Sequence, residues 1–142
     1  MFTPRCLSYP VSVHLVFAVY ALCFLGAGLG HVRDIWLGGI FPYSWAPLPI
    51  NAYWASLAFF DLLAVVLLYT FARAGMVLSL AIMLSDVAIN SYVAYCLYYP
   101  ECNFAVSLQL QTLFLGFVIG SMPFAWMQLA EASSRSVTEV RP

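Results

Sequence analysis

Two long apolar runs, residues 52–71 and 76–97, follow each other along the chain and constrain its fold more than any other feature. Each is about twenty residues long, the length that an α-helix needs to cross the hydrocarbon core of a bilayer. Each also carries one carboxylate about ten residues in, hence about 15 Å along the helix axis. These are Asp61 in the first run and Asp86 in the second. Because a charge at that depth costs roughly 2.5–3.5 kcal/mol on insertion scales, the pair indicates a polar site inside a membrane protein.

The composition agrees with a membrane protein. Of 142 residues, 64% are hydrophobic and 8% are charged, whereas a soluble domain carries about 25% charged residues. Two further apolar runs, residues 11–30 and 104–127, bring the predicted spans to four. A cleaved signal peptide is the alternative for the first run, but its length and the lack of an A-x-A site after it favour a retained span. A net charge of −1 gives no electrostatic case for nucleic acid as a partner.

The order of the runs predicts an all-α fold, a transmembrane antiparallel four-helix bundle. Residues 1–10 are expected to form a cytoplasmic N-terminal head, residues 11–127 the transmembrane domain, and residues 128–142 a flexible cytoplasmic tail. Residues 31–50 interrupt the pattern with three prolines in eight residues, which cannot continue a helix. Because this segment is also aromatic and apolar, we predict a lid across the outer end of the bundle, between helices 1 and 2.

The arginines predict the orientation in the membrane. Arg5, Arg73, Arg135 and Arg141 fall on one side of the predicted bundle, and Arg33 falls on the other. Positively charged loops stay in the cytoplasm more often than they cross the membrane. Both termini are therefore expected to be cytoplasmic.

The expected ligand site lies around the two carboxylates. Asn90 is one helical turn beyond Asp86, and Trp54 shares a helix face with Asp61. Two opposed carboxylates in a low dielectric cannot both stay ionised without a cation, so at least one is expected to be protonated. A bound cation would also contact the Trp54 ring, a contact worth about 0.5–2 kcal/mol. The alternative is that the carboxyls and Asn90 are hydrogen-bonded only to hold the helices together.

Two glutamines in the fourth run compete for the interior. Gln109 and Gln111 differ by about 200° around a helix, so both cannot point inward. Gln109 lies on a stripe with Thr112, Gly116 and Gly120, and we predict that it lines the site. Gln111 is expected near the lipid headgroups.

Pairs of glycines four residues apart, Gly26 with Gly30 and Gly116 with Gly120, are expected to be helix contacts, since small residues let two backbones approach.

A second polar group is expected at the outer mouth of the bundle. It comprises His31, Asp34 and Asn51. On a helical extension of the first span, His31 and Asp34 would share a face. They would form either an interfacial hydrogen bond or ion pair with Arg33, or a proton or ligand site.

The sequence contains no signature of a cofactor or metal site. The four cysteines have no CxxC or His/Cys metal spacing, and no phosphate loop, Rossmann glycine pattern or haem motif occurs. No catalytic residue is assigned, because the serines within the runs have no histidine at a fitting depth. An enzyme would have to use carboxyl acid/base chemistry. Whether the chain is an enzyme stays open, with a non-enzymatic role favoured.

Three short strings carry a resemblance to a known group of proteins. They are residues 39–47 (Gly-x-x-Pro-Tyr-x-x-Ala-Pro), 51–57 (Asn-x-Tyr-Trp-x-Ser-Leu) and 85–90 (Ser-Asp-Val-Ala-x-Asn). In these three strings, the chain resembles a family of uncharacterised bacterial inner-membrane proteins with four helices. The resemblance implies a bacterial inner-membrane location and no particular activity.

Other residues are similar to the EXPERA group, the four- to five-helix family of the sigma-2 receptor and the sterol isomerase. They are Asp34 just after the first span, Trp54 and Asp61 in the second, and a proline–aromatic pair that begins at Pro123. This resemblance implies that amphipathic amines or sterols bind between carboxylates, with Asp34 and Asp61 as the acids to compare. The chain departs from the group in its polar emphasis on Asp86.

These observations predict a small polytopic membrane protein that binds or moves a small amphipathic or cationic molecule through an intramembrane carboxylate site. One alternative is a structural or accessory subunit of a membrane complex. Another is an EXPERA-like intramembrane isomerase or sterol- or amine-binding protein. Besides the lipid bilayer and the ligand, the expected partners are a second copy of the chain or another membrane protein.

Overall fold

A computed structural model describes residues 9–97 and 102–138, and within them it contains four helices and no strand. The helices are α1 (Val11–Gly38), α2 (Leu48–Thr70), α3 (Ala72–Cys96) and α4 (Cys102–Thr138). Each contains a stretch that is long and apolar enough to cross a membrane. The predicted all-α, four-helix fold is confirmed. The cytoplasmic location of the termini stays a prediction.

The helices form an antiparallel bundle in chain order. α1 packs on α2, α2 on α3, and α3 on α4, whereas α4 touches α1 only sparsely. We call the end of the bundle with the α1–α2 connection the lid end, and the end with the α2–α3 turn the closed end. Buried side chains on α1 recur every three or four residues, at Val13, Phe17, Tyr20 and Phe24, and so form one inward stripe. The outer faces keep large exposed apolar side chains, as expected for a surface in contact with lipid.

The chain reverses direction at two points for local reasons. α1 ends where Gly39 adopts a positive φ of 83°, a conformation that favours glycine. α2 follows Pro47 and has a proline in its first turn, where the missing N–H costs nothing. Between α2 and α3 only Phe71 is non-helical. A Cβ at Gly75 would collide with the backbone of Leu67 and Leu68, so this turn needs glycine.

The helix bounds differ from the predicted spans. α1 continues eight residues past residue 30, because residues 31–38 contain no proline and the first glycine with a positive φ is Gly39. His31 and Asp34 therefore lie on α1, and the irregular connection is residues 39–47 instead of 31–50. α4 runs through Pro123, and residues 128–138, predicted as the start of a flexible tail, are helical. The predicted head before residue 9 and the last four residues lie outside the described residues.

The connection at residues 39–47 packs against the end of the bundle. Ala46 is buried. The ring centroid of Trp45 lies 5.5 Å from that of Trp54. The ring centroid of Tyr43 lies 5.1 Å from that of Trp54, in an edge-to-face arrangement. Two aromatic rings of the connection thus pack on Trp54 near the start of α2, which matches the predicted lid.

Candidate functional site

Asn90 on α3 is the centre of a polar network in the bundle. The Trp54 Nε1–H group donates to Asn90 Oδ1 at 2.9 Å. The Asn90 Nδ2 group donates to Asp86 Oδ1 at 3.0 Å and to Gln111 Oε1 at 2.8 Å. Both amide hydrogens and the amide oxygen therefore have partners, which sets the orientation of the amide. Because the partners come from α2, α3 and α4, one side chain that is only 5% exposed ties three helices together.

The two buried carboxyls are in different surroundings. Asp86 is 8% exposed and accepts the Asn90 amide, as its position four residues earlier on the helix predicts. Asp61 is 2% exposed. Among the described residues, no group forms a hydrogen bond or an ion pair with the Asp61 carboxyl. An ionised carboxylate in that position is very unfavourable unless a cation or a donor reaches it.

Asp61 and Asp86 line the same cavity, whose volume is about 350 Å³. All four helices contribute polar lining residues, namely His31 from α1, Asp61 from α2, Asp86 from α3, and Ser107 and Gln111 from α4. The remaining wall is mainly apolar and includes Phe24, Ile82, Met83, Leu110 and Phe114. The cavity thus combines two carboxyls with apolar walls, an arrangement that suits an amphipathic molecule.

A smaller cavity of about 220 Å³ adjoins the first one on the lid side. The two share His31, Asp86, Ser107 and Gln111 as lining residues. The smaller one adds three aromatic side chains, Tyr43, Trp45 and Trp54, and the Asn90 amide. The two adjoining cavities therefore connect the carboxyl site to the lid.

Gly28 brings α1 close to Asp61. A Cβ at this position would lie 3.1 Å from the Asp61 Cβ and equally close to Leu62. Gly28 continues the buried stripe of α1 beyond Phe24. The glycines that were predicted as α1 contacts, Gly26 and Gly30, have no atom within 4 Å of an added Cβ. The prediction chose the right helix and the wrong face, because the pattern of buried aromatics and not the glycine spacing sets the rotation of α1.

The polar residues at the mouth meet through Tyr43. The Tyr43 hydroxyl donates to Asp34 Oδ2 at 2.8 Å, and His31 Nδ1 lies 3.0 Å from the same hydroxyl. The Tyr43 backbone N–H donates to Oδ1 of the buried Asn51 at 3.2 Å. Burial and the hydrogen bond to Asp34 raise the pKa of the Tyr43 phenol above its ordinary value. Arg33 lies 4.0 Å from Asp34 in a largely exposed ion pair, so its contribution to stability is small.

The structure reverses the assignment of the two glutamines. Gln111 reaches Asn90 and lines both cavities, whereas Gln109 is exposed. The stripe that carries Gln109 is exposed as well, and Gly116 and Gly120 have no atom within 4 Å of an added Cβ. α4 is turned so that Phe114 and Val118 pack inward against Tyr20 of α1. Bulky side chains and not small ones therefore set which face of α4 points into the bundle.

The remaining predicted residues lie close to their expected places. Trp54, Asp61, Asp86 and Asn90 are buried around the two cavities, and Asn51 is buried beneath the lid. The sequence interpretation gave no role to Tyr43, Gly28, Ser107 and Gln111 in the site. Tyr43 lay in one of the strings that carried the family resemblance, and Gly28 lay at the spacing of the buried α1 stripe.

Within the described part of the chain, no group of three or more metal-ligating side chains is found. Comparison of the chain with protein-family models, with curated proteins and with solved structures finds no match. Neither resemblance noted in the sequence gains support from these comparisons.

Proposed function

We propose that this protein binds a small amphipathic cation in the cavity between its four helices and moves it within or across the membrane. The observation that carries the proposal is that Asp61 and Asp86, on adjacent helices, line one cavity of about 350 Å³. This volume falls in the range of about 300–1,000 Å³ that small-molecule sites occupy.

The charges favour a cationic ligand over a neutral one. Two carboxyls that share a poorly solvated cavity cannot both be ionised, because each ionised group repels the other and both lose hydration. A cation between Asp61 and Asp86 supplies the missing counter-charge. The apolar wall formed by residues such as Phe24, Met83 and Phe114 removes the ligand's hydrocarbon part from water, which contributes about 25 cal/mol per Å².

A purely structural role accounts for Asp86 better than for Asp61. Carboxyls that only hold helices together are expected to be hydrogen-bonded across them, as in known membrane bundles. Asp86 meets that expectation through Asn90. Asp61 has no such bond among the described residues and lines the cavity. An unpartnered buried carboxyl is typical of a group that interacts with a ligand or a proton.

A second candidate role, as an accessory subunit, is supported by α4. Gly116 and Gly120 lie on the surface, with no atom within 4 Å of an added Cβ. A partner helix can approach such a surface closely. Under this proposal, Gly116→Leu removes a partner in a pull-down assay and leaves ligand binding unchanged.

The first proposal is tested by thermal unfolding in nanodiscs of uncharged lipid. The probes are octyltrimethylammonium and octanol, which share a chain length and differ in charge. A ligand present at 100 times its Kd stabilises the folded protein by about 2.7 kcal/mol. We expect the ammonium ion to raise the melting temperature of the wild type more than octanol does.

The variants Asp61→Asn and Asp86→Asn should lose this difference, because an amide keeps the shape of the carboxyl and removes its charge. Glu131→Gln is the matched control, since it removes a carboxylate from an exposed position outside the cavity lining. Equal shifts with the ammonium ion and octanol, or a full ammonium effect in Asp61→Asn, would contradict the proposal.

A further inference from the structure

The hydrogen bonds around Tyr43 determine which atoms carry protons. A phenol has one hydrogen, and Tyr43 donates it to Asp34 Oδ2 at 2.8 Å. The contact of 3.0 Å between the Tyr43 oxygen and His31 Nδ1 must then have the imidazole as donor. His31 therefore carries its proton on Nδ1. In the neutral ring, Nε2 is left as an acceptor.

Of the three hydrogen-bonded side chains, His31 is the one that reaches the ligand site. It lines both the carboxyl cavity and the smaller cavity on the lid side. At the other end of this hydrogen-bonded series, the Asp34 side chain is 39% exposed, beside an arginine side chain that is 75% exposed. Three hydrogen-bonding side chains thus connect the cavity that contains Asp61 and Asp86 to the surface at the lid end.

We propose that Asp34, Tyr43 and His31 form a proton relay, through which a proton leaves the carboxyl cavity for the lid-end surface when a cation binds. This inference rests on the proposed function, since the cation is the ligand of that cavity. It adds that cation binding and proton release are coupled, as an exchange of one positive charge for another.

The transfer conserves both protons and charge. When the cation enters, the O–H bond of a protonated Asp61 or Asp86 carboxyl breaks, and its proton passes through water in the cavity to His31 Nε2. The Nδ1 proton of His31 moves to the Tyr43 oxygen, and the Tyr43 hydroxyl proton moves to Asp34. Asp34 then releases the proton to water. The cavity gains one cation and loses one proton, so its net charge is unchanged.

The groups around His31 agree with this direction. Asp34 on its own helix and Tyr43 on the lid form the relay. Asp61 from α2 and Asp86 from α3 line the cavity with it, and the α4 residues that line the cavity there are uncharged. The nearest cation along the chain, Arg33, lies at the exposed end beside Asp34. The acidic groups therefore lie at both ends of the relay and the imidazole between them.

The relay is tested by the rate of proton release when a cation binds. The full chain in nanodiscs is mixed by stopped flow with saturating octyltrimethylammonium, in weak buffer with a pH-sensitive dye. This probe has no proton to lose, so any released proton comes from the protein. We expect about one proton per bound cation in the wild type at neutral pH, because the two carboxyls cannot both be ionised until the cation is bound.

Tyr43→Phe removes the central hydroxyl and keeps the ring against Trp54. Proton release should become at least about tenfold slower, since a positioned acid/base group contributes about 10²–10⁴ to a transfer rate. Stoichiometry and affinity should stay the same, because a relay changes rates and not equilibria. The matched control is Tyr53→Phe, which removes a half-buried phenol that bonds Ser85 Oγ at 2.8 Å, away from the relay.

Asp34→Asn is a second variant in case Tyr43→Phe does not fold, because an amide oxygen still accepts the phenol bond and cannot take the proton. Release as fast as in Tyr53→Phe from either folded variant would overturn the relay. Cation binding without proton release in the wild type would overturn the relay and leave the proposed function standing. If no cation binds the wild type, both proposals fail.

Discussion

The two ends of this bundle are built from the same kind of helix and are packed in opposite ways. At the closed end, α1 and α4 meet directly: the Tyr20 hydroxyl donates to the Val118 carbonyl at 3.0 Å, and the Tyr20 ring contacts Phe114 and Phe117. On the lid side of Phe24, both helices line the cavity, α1 through His31 and α4 through Gln111. Among the described residues, the aromatic contacts between α1 and α4 extend from Tyr20 to Phe24, which packs on Phe114 beside the cavity, and the polar site lies beyond them.

The comparison also separates two ways of placing polar groups in a membrane. At the closed end, the Arg73 guanidinium lies 5.4 Å from the Trp126 ring centroid, and farther along α3 the buried Ser79 Oγ has no hydrogen-bond partner among the described residues. On the lid side, a network links four polar side chains, and one carboxyl beside it, Asp61, has no partner among the described residues. From this division we expect the closed end to supply stability and the lid-side half to contain the proposed ligand site.

The largest contrast is expected between two methionines on α3. Met76 is fully buried at the closed end, whereas Met83 lines the cavity. Met76→Ala should lower the free energy of unfolding by about 2–5 kcal/mol, because it creates a cavity in a packed core. Met83→Ala enlarges an existing cavity and should cost clearly less. Unfolding in mixed micelles measures both, and equal losses would contradict the division.

Gly75→Ala should have the next largest effect. It should lower the free energy of unfolding by about 1–3 kcal/mol, because the added Cβ has no room against the backbone of α2. Gly120→Ala is the matched control on α4, where an added Cβ meets open space. That change should be neutral or slightly stabilising, since alanine favours a helix over glycine. If Gly75→Ala unfolds like the wild type, the close approach of the α2–α3 turn is wrong.

The two carboxyls should respond differently to an apolar replacement. Asp86→Leu leaves an Asn90 N–H without its acceptor and should cost about 1–3 kcal/mol. Asp61→Leu removes a buried group without a partner among the described residues and should leave the stability of the ligand-free protein unchanged or higher. The measurement is unfolding without cationic amphiphile, and a large loss for Asp61→Leu would indicate a structural bond to that carboxyl.

Tyr20→Phe should have the smallest effect. It removes hydrogen bonds to the Val118 carbonyl and to Ser121 Oγ and keeps the aromatic contacts. Bonds of this kind between membrane helices are worth about 0.6 kcal/mol on average and at most about 1.7 kcal/mol. Cation binding should be unchanged in the thermal assay. A loss of binding would mean that the closed end also shapes the ligand site.

Part of the candidate site follows from helix geometry. Asp86 and Asn90 are four residues apart, and Trp54 and Asp61 are seven apart, so each pair had to share a face. The bond from Asn90 to Asp86 is the result for the first pair. What the sequence could not predict was the rotation of α4, and with it the choice between Gln109 and Gln111, because that rotation depends on packing against α1.

The sequence by itself determined the four helices and the depth of the two carboxylates. A backbone in lipid must satisfy its own hydrogen bonds, so long apolar runs become helices, and the rise per residue places Asp61 and Asp86 near their middles. Only the tertiary structure decided which groups meet. Tyr43 joins His31 to Asp34 because the lid folds back over the bundle end. Among the described residues, aromatic side chains join α1 to α4 as far as the Phe24–Phe114 contact, and the two helices line the cavity beyond it. This arrangement depends on side-chain shape across helices that are distant in sequence.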